Sequence, residues 1–421
     1  MASSAVRSFR GQSNVIPMPG TAAAHASNTR TAWVEAFREV RGETERRAAP
    51  LSDEDQIVQS MPDASPTKWH RAHTTWFFEQ FLLLPHLPGY RVFDKQFSYL
   101  FNSYYVAAGP RHARPQRGLV TRPANSEVAT YRAHVDDAVV RLVNGAEGSH
   151  LTEVLRILEI GLNHEQQHQE LLLTDILHAF SLNPIGPTYD ASRIPPAAKK
   201  SAAGLVAVPE GLHSIGFAGD GYCFDNEGPV HQTYLRPVRI ARSLVTNAQW
   251  LDFIADGGYA TPSLWLSDGW ATVQADGWEA PGYWRKVDGV SHTLTLAGPR
   301  PVDPGAPVTH VSYYEADAFA RWMGKDLPTE QEWEVAARAG LIDDAFGIVW
   351  QWTRSAYSPY PGYRAASGAL GEYNGKFMIN QMVLRGGSCA TPRSHIRASY
   401  RNFFPPDARW QFSGIRLAKD G

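Results

Sequence analysis

The chain has 421 residues, of which 43% are hydrophobic and 19% charged, so it is long enough for two or three globular domains and shows no sign of wholesale disorder. Its 40 basic and 42 acidic residues leave a formal charge of −2, which gives no electrostatic reason to expect a nucleic-acid or membrane partner. We therefore expect small-molecule ligands.

The two cysteines, Cys223 and Cys389, are too few for a disulfide framework and lack the close spacing of a structural zinc site. No segment has the apolar length of a signal-peptide core or of a membrane span. Both features favour a reducing, cytoplasmic location. Residues 1–28 are predicted to be a flexible tail.

Residues 29–182 show helical periodicity in four successive segments, and this pattern predicts a four-helix bundle. Residue types that commonly begin helices stand at the start of three segments: Ser65 followed by Pro66, Ser126, and Ser149. Residues 183–204 then bring Pro, Gly, Ser and Lys without periodicity, which is typical of a linker.

Residues 205–421 have a different texture, with short elements among many Gly and Pro. Hydrophobic alternation predicts strands at 205–217 and 231–241, and helical periodicity predicts helices at 245–259 and 311–340. The chain holds 13 Trp, 17 Tyr and 18 Phe, concentrated after residue 245, which indicates a loop-rich core of large side chains. The fold class we expect is α + (α+β).

The string "LNHEQQHQE" places His164, Gln167 and His168 on one face of the last helix of the bundle. His73 lies among aromatic residues on one face of the second helix, whereas His70 points roughly 100° away from Trp69 by helical geometry. Three imidazoles from two helices would bind a divalent metal, and nitrogen ligands suit zinc, copper, iron or nickel alike. The alternative is that these are hydrogen-bonded core histidines.

Glu170 follows His168 by two positions and therefore faces elsewhere on the helix. We assign it a supporting role, in which its carboxylate orients one of the metal-binding histidines.

Several strings in a fixed order carry a family resemblance: "AH" in the second helix, "HEQQH" in the last, then "FDNEGPVHQTYL", "DLPTEQEWEVAAR", "VWQWT", "VLRGGS" and "GIRLA". The chain resembles the iron-dependent sulfoxide synthases of ergothioneine biosynthesis over nearly its whole length after residue 30. Its first part is similar to DinB-like bundles. Its second part is similar to formylglycine-generating-enzyme-type domains with a C-type-lectin-like fold.

This resemblance implies that His73, His164 and His168 bind Fe(II). It further implies a reaction that joins the thiol of cysteine or γ-glutamylcysteine to C2 of the imidazole of hercynine and oxidises the sulfur to a sulfoxide with O2. Three protein ligands would leave an octahedral iron three positions for the two substrates and O2, whereas tetrahedral zinc would keep one.

The resemblance also implies substrate-binding residues. Arg111 and Arg114 in "GPRHARPQRG" would bind the carboxylate of the thiol substrate, because a guanidinium matches a carboxylate with two hydrogen bonds. The alternative is a solvated basic loop, and the neighbouring Arg117 and Arg122 receive no role. Hercynine is expected to contact Gln167, Asn402, Phe403 and Phe404. The two phenylalanines would face its trimethylammonium group.

The chain departs from the better-known members at two positions. Phe404 replaces an aspartate that engages γ-glutamylcysteine, and Leu370 stands where those members have an active-site tyrosine. Tyr104 and Tyr105 instead resemble a tyrosine pair of the branch that accepts cysteine. One phenol would supply a proton or hydrogen atom and favour C–S coupling over thiol dioxygenation. The alternative is that both are core aromatics.

Other functions remain open at this stage. A zinc-dependent thiol transferase or hydrolase of the DinB type would use the same histidines, and an ovothiol-type synthase would attack a different imidazole carbon. A formylglycine-generating oxidase needs a close cysteine pair, but only Cys389 follows "RGGS". A binding module on a structural bundle would leave the histidines without a metal. The sequence leaves the oligomeric state open.

Overall fold

The computed structural model describes residues 26–197, 204–365 and 374–421. Most of the predicted tail and Leu370 lie outside the described residues. The first helix begins at Ala26, so the last three residues assigned to the tail are helical.

Helices dominate the first part of the chain, and a π-helical segment, Phe78–Leu83, continues the second of them. The α-helices are α1 (Ala26–Ala48), α2 (Thr67–Phe77), α3 (Leu84–His86), α4 (Phe97–Leu100), α5 (Asn125–Gly145) and α6 (Gly148–Ser181). The four long helices α1, α2, α5 and α6 all pack against one another. The starts of α2, α5 and α6 lie within two residues of the predicted positions, which is the normal uncertainty of a helix boundary.

Gly161 lets α6 approach the end of α2 closely. A Cβ added at this position would lie 2.3 Å from Cε1 of Phe78, which is itself fully buried. The close approach brings the histidines of the two helices together, because His164 lies less than one turn further along α6.

We predict that Gly161→Ala destabilises the protein by about 1–3 kcal/mol, because the methyl group forces Phe78 out of a packed position. Gly145→Ala is the matched control, since Gly145 is also helical and a Cβ added there would meet no neighbouring atom within 4 Å. Urea unfolding monitored by circular dichroism measures both changes. Equal midpoints for the two variants would contradict the close packing inferred at Gly161.

A buried group of charges also holds the helices together. Glu165 of α6 accepts hydrogen bonds from Arg41 of α1 at 2.9 Å and from Arg132 of α5 at 3.1 Å, and Arg41 also pairs with Asp136 at 2.7 Å. Burial alone would raise the pKa of Glu165, but the two guanidinium groups hold it below its usual value. Glu165 therefore orients the segment of α6 that carries the neighbouring His164.

The second part of the chain has short strands and four helices among the described residues. The strands are β1 (Leu205–Val208), β2 (Gly211–Ile215), β3 (His231–Leu235), β4 (Val238–Ala241), β5 (Trp284–Val287), β6 (Val290–Thr295), β7 (Gly298–Pro301), β8 (Trp350–Ala356), β9 (Met382–Arg385), β10 (Asn402–Phe404), β11 (Ser413–Gly414) and β12 (Ala418–Asp420). The helices are α7 (Asn247–Ala255), α8 (Ser267–Asp276), α9 (Tyr313–Trp322) and α10 (Glu330–Arg338).

The described strands form sheets with the orders β1-β4-β12, β10-β9-β8-β11, β2-β3 and β5-β6-β7. All pairs are antiparallel except β11 with β8. In the sheet beside the predicted site, Asn402 pairs with Leu384 and Phe404 with Met382. The strand order places β10 at the edge of this sheet.

Helices α9 and α10 begin where their sequences provide reciprocal caps. The hydroxyl of Ser312 accepts from the backbone N–H of Glu315, whose carboxylate accepts from the N–H of Ser312. Thr329 and Glu332 repeat this arrangement at α10. These capping boxes satisfy N–H groups that lack helical partners, so one predicted helical region, 311–340, becomes two helices. Helix α8 was not predicted.

The helical first domain followed by a domain of sheets and loops confirms the coarse fold class. The division into 29–182, 183–204 and 205–421 stays a prediction, as do the strict four-helix-bundle description and the lectin-like fold. One cluster of buried hydrophobic side chains contains residues from both parts of the chain. No helix in the described ranges is both long and apolar enough to cross a membrane.

Candidate functional site

Three histidines from α2 and α6 converge where the two helices pack. His73, His164 and His168 each offer a ring nitrogen, and these nitrogens all lie within 4.8 Å of one another. Nε2 of His73 is 3.2 Å from Nε2 of His164. His73 and His164 are buried and His168 is half-buried. The structure thus brings together the three residues that the sequence predicted as metal ligands.

The surroundings of these imidazoles suit a metal. Nδ1 of His73 donates to the backbone oxygen of Phe101 at 2.6 Å, which leaves Nε2 facing the other two histidines, and Trp69 and Trp76 stack on its two sides. Burial lowers the pKa of His164 to about 3. Burial is also the main reason why the pKa values of His73 and His168 lie well below that of a free histidine. The rings are therefore neutral, as metal ligands must be.

His70, which received no role from the sequence, also reaches this cluster. Its Nδ1 lies 2.8 Å from Nδ1 of His168, and its Nε2 lies 3.1 Å from Oδ2 of Asp175. His70 and His73 are three residues apart on α2 and therefore lie on neighbouring parts of its surface, so α6 contacts both. Spacing along α2 does not reveal which residues of α6 meet His70.

Glu170 differs from its predicted role. Its Oε1 accepts from Nε1 of Trp350 at 2.8 Å and from Oγ of Ser388 at 2.6 Å, and its Oε2 accepts from Oγ1 of Thr391 at 2.6 Å. All three donors belong to the second domain, so Glu170 connects the domains instead of orienting a histidine. Burial raises its pKa despite these hydrogen bonds.

A cavity of about 630 Å³ opens beside the histidines and is lined by both domains. It is large enough for small organic molecules. The predicted site residues that line it are Tyr104, Arg111, Arg114, His164, Gln167, His168, Asn402, Phe403 and Phe404. Two others, His73 and Tyr105, are buried behind this surface.

The arginines of the basic loop lie at different depths. Arg111 donates to the backbone oxygen of Ser103, and the side chain of Arg114 is 54% exposed near Asp63. Arg117, which received no role from the sequence, is 5% exposed and also lines the cavity. The regular spacing of three arginines in "RHARPQR" was the available signal for it.

Arg117 is a buried cation with neutral partners. It donates to Oγ of Ser65 at 2.9 Å and to Oγ of Ser103 at 3.2 Å, and its guanidinium lies 3.4 Å from the ring centre of Trp69. Burial, with a smaller contribution from Arg114, lowers its pKa to about 9. No carboxylate of the described ranges lies within 4.0 Å of it. A positive charge in this setting favours binding of an anion.

The two adjacent tyrosines stack on each other, with ring centres 4.7 Å apart, but only Tyr104 lines the cavity. Tyr105 is fully buried and packs against Trp76. Burial raises the pKa of Tyr104, so its phenol keeps its proton at neutral pH. Phe377 of the second domain meets the ring of Tyr104 edge-on, with 5.1 Å between the ring centres.

The second domain supplies the opposite side of the cavity. Gln167 donates to the hydroxyl of Tyr400 at 3.1 Å. Phe403 stacks on Tyr357 with 4.0 Å between the ring centres, and the ring centres of Phe404 and Trp410 are 5.6 Å apart. Both Tyr400 and Trp410 line the cavity, although sequence reasoning singled out neither.

Comparisons with known proteins match both parts of the chain. Residues 36–172 match the DinB superfamily, and residues 190–346 and 341–421 match the sulfatase-modifying factor enzyme 1-like domain. The hercynine oxygenase of Mycolicibacterium smegmatis is 32% identical, and that of Mycobacterium tuberculosis is 31% identical; each alignment covers 89% of this chain and 95% of the relative.

A formylglycine-generating enzyme from Streptomyces coelicolor is 37% identical, but that alignment covers only 37% of this chain and 53% of the relative. The hercynine oxygenases, in contrast, align over both domains. Their likeness therefore extends across the histidine cluster and the cavity between the domains. This chain belongs to the hercynine oxygenase family, the sulfoxide synthases of the ergothioneine pathway, and is an oxygenase.

Proposed function

We propose that this enzyme is an iron(II)- and O2-dependent sulfoxide synthase that couples cysteine to C2 of the hercynine imidazole. The observation that carries the proposal is the convergence of three neutral imidazoles beside a cavity lined by both domains. His73, His164 and His168 would hold the iron. When bound, iron(II) would supply a redox-active Lewis acid that accepts substrate donor atoms and O2.

The proposed reaction balances with one molecule of O2. The thiol S–H and the C2–H of hercynine are lost, and a C–S bond forms between their heavy atoms, which removes two electrons. Oxidation of the sulfur to the sulfoxide removes two more. One oxygen atom enters the sulfoxide, and the other leaves as water with the two hydrogens.

The arginines would bind the carboxylate of the thiol substrate. Arg111 and Arg114 line the outer part of the cavity, and Arg117 adds a buried guanidinium without a carboxylate partner among the described residues. We assign all three to this role. Phe404 provides no charge or hydrogen bond for a γ-glutamyl group, which favours cysteine over γ-glutamylcysteine.

We predict that Arg114→Ala raises KM for cysteine roughly 10- to 100-fold without changing the iron content, because a charge-assisted hydrogen bond contributes about 1.5–3 kcal/mol. Steady-state O2 consumption at varied cysteine concentrations measures this effect. Arg122→Ala is the control, since Arg122 is exposed and is not among the cavity-lining residues. Equal KM values for both variants would remove Arg114 from the substrate site.

Hercynine would lie against α6 and β10. The amides of Gln167 and Asn402 would hydrogen-bond to it, and Phe404 with Trp410 would offer aromatic surface to its trimethylammonium group. Phe403 would act less directly, because Tyr357 already covers one face of its ring. Holding both substrates in one cavity would bring the reacting sulfur and carbon together.

The function is tested by loading the protein with Fe(II) under anaerobic conditions, adding hercynine with cysteine or γ-glutamylcysteine, and then admitting air. We expect stoichiometric O2 uptake and a cysteine-derived sulfoxide joined at C2, identified by mass spectrometry and NMR. Zinc content with turnover that is independent of O2 would instead favour a thiol transferase. Coupling at another ring carbon would favour an ovothiol-type synthase.

A further inference from the structure

A chain of hydrogen bonds leads from the metal-binding histidines to a buried carboxylate. His70 of α2 lies between His168 and Asp175 of α6, with 2.8 Å between the Nδ1 atoms of the two histidines and 3.1 Å from Nε2 of His70 to Oδ2 of Asp175. His70 is 2% exposed and Asp175 is 6% exposed. Both side chains are almost fully buried, and both border the cavity.

The chemistry of these groups determines the direction of each hydrogen bond. The backbone N–H of Ser65 donates to Oδ2 of Asp175 at 2.8 Å. A carboxylate that only accepts requires a proton on Nε2 of His70. With one proton on the His70 ring, its Nδ1 accepts and Nδ1 of His168 donates. Nε2 of His168 is left with the lone pair that can bind a metal.

His168 and His73 differ in the group that accepts the hydrogen bond from the ring nitrogen that faces away from the cluster. The corresponding N–H of His73 donates to a neutral backbone oxygen, that of Phe101. The N–H of His168 donates to an imidazole that is itself polarised by an anion. Such support raises the electron-donating strength of a metal-bound imidazole and fixes the orientation of its ring.

We propose that His70 and Asp175 are positioning residues that select the tautomer and orientation of His168 for metal binding. This inference rests on the metal site of the proposed function. The structural alternative is that the two residues only hold α2 against α6. That alternative predicts lower thermal stability but unchanged metal binding by the folded protein.

Two types of variant separate these possibilities. Asp175→Asn keeps an oxygen that can accept from His70 but removes the negative charge. His70→Phe keeps a ring but removes both hydrogen bonds, whereas His70→Asn keeps an acceptor oxygen close to the position of Nδ1. Glu153→Gln is the control, because Glu153 lies on the same helix, its side chain is 45% exposed, and it pairs only with Arg156 in the described contacts.

The measurements are Fe(II) affinity by anaerobic chelator competition and the visible absorption spectrum of the Co(II)-substituted protein, with melting temperature as the check on folding. We expect His70→Phe to weaken Fe(II) binding about 10- to 100-fold and to change the Co(II) spectrum. Asp175→Asn should have a smaller effect in the same direction. His70→Asn should recover part of the affinity that His70→Phe loses, and Glu153→Gln should match the wild type.

Wild-type Fe(II) affinity and an unchanged Co(II) spectrum in both Asp175→Asn and His70→Asn would overturn the proposal. If His70→Phe does not fold, these two variants decide the matter, because each retains a polar group in place of the original one. Failure of the wild-type protein to bind Fe(II) or Co(II) would instead refute the metal site itself.

Discussion

His164→Ala is expected to lose bound iron and turnover together. The imidazole lies 3.2 Å from that of His73, and its replacement leaves two of the three nitrogen ligands. The loss of affinity should exceed the roughly 100-fold that removal of a ligand's hydrogen-bond partner can cause. Metal analysis after anaerobic loading and gel filtration measures the iron content, and O2 consumption measures turnover.

His178→Ala is the control for this experiment. His178 is on the same helix, but its ring hydrogen-bonds to Ser60 and does not belong to the histidine cluster. It should retain iron and activity. An iron content equal to that of the wild type in folded His164→Ala would show that the metal lies elsewhere.

Tyr104→Phe is expected to retain iron but to change the product. Only Tyr104 of the tyrosine pair lines the cavity, and its raised pKa keeps a proton on the phenol oxygen for transfer during the reaction. Without that proton donor, C–S coupling should slow by about 10²- to 10⁴-fold, the usual contribution of a general acid. The thiol and O2 can then form cysteine sulfinate, which incorporates both oxygen atoms and needs no second substrate.

Tyr105→Phe separates the chemical role from packing. Tyr105 is buried against Trp76 and Phe81, so its loss should affect stability more than the ratio of products. Liquid chromatography with mass spectrometry quantifies sulfoxide and sulfinate for each variant. An unchanged ratio in Tyr104→Phe would contradict its assignment as the proton donor, and a changed ratio only in Tyr105→Phe would transfer the role to its neighbour.

Features that depend on position along one helix could be predicted from the sequence. The four-residue spacing of His164 and His168 places both on one face whatever surrounds the helix, and Gln167 follows by the same geometry. The apolar environment of His73 followed from its aromatic neighbours. The change in periodicity along the chain predicted a helical part followed by a part with sheets, because the two types of element repeat at different intervals.

Features that depend on how elements pack required the tertiary structure. Glu170 has the helical position expected of a supporting carboxylate, but the second domain provides its hydrogen-bond donors. Arg117 and Trp410 are far apart in sequence and share one cavity only because the loops of the two domains meet there.

His70 gives the clearest example of this difference. The aromatic stripe of α2 does not include it, and only the packing of α6 brings His168 and Asp175 to its two ring nitrogens. Local backbone geometry sets the direction of a side chain from its own helix, so spacing alone reveals which residues share a face. The distance between helices depends on the volume of the side chains between them, here including the missing side chain of Gly161, and therefore emerges only from the packed core.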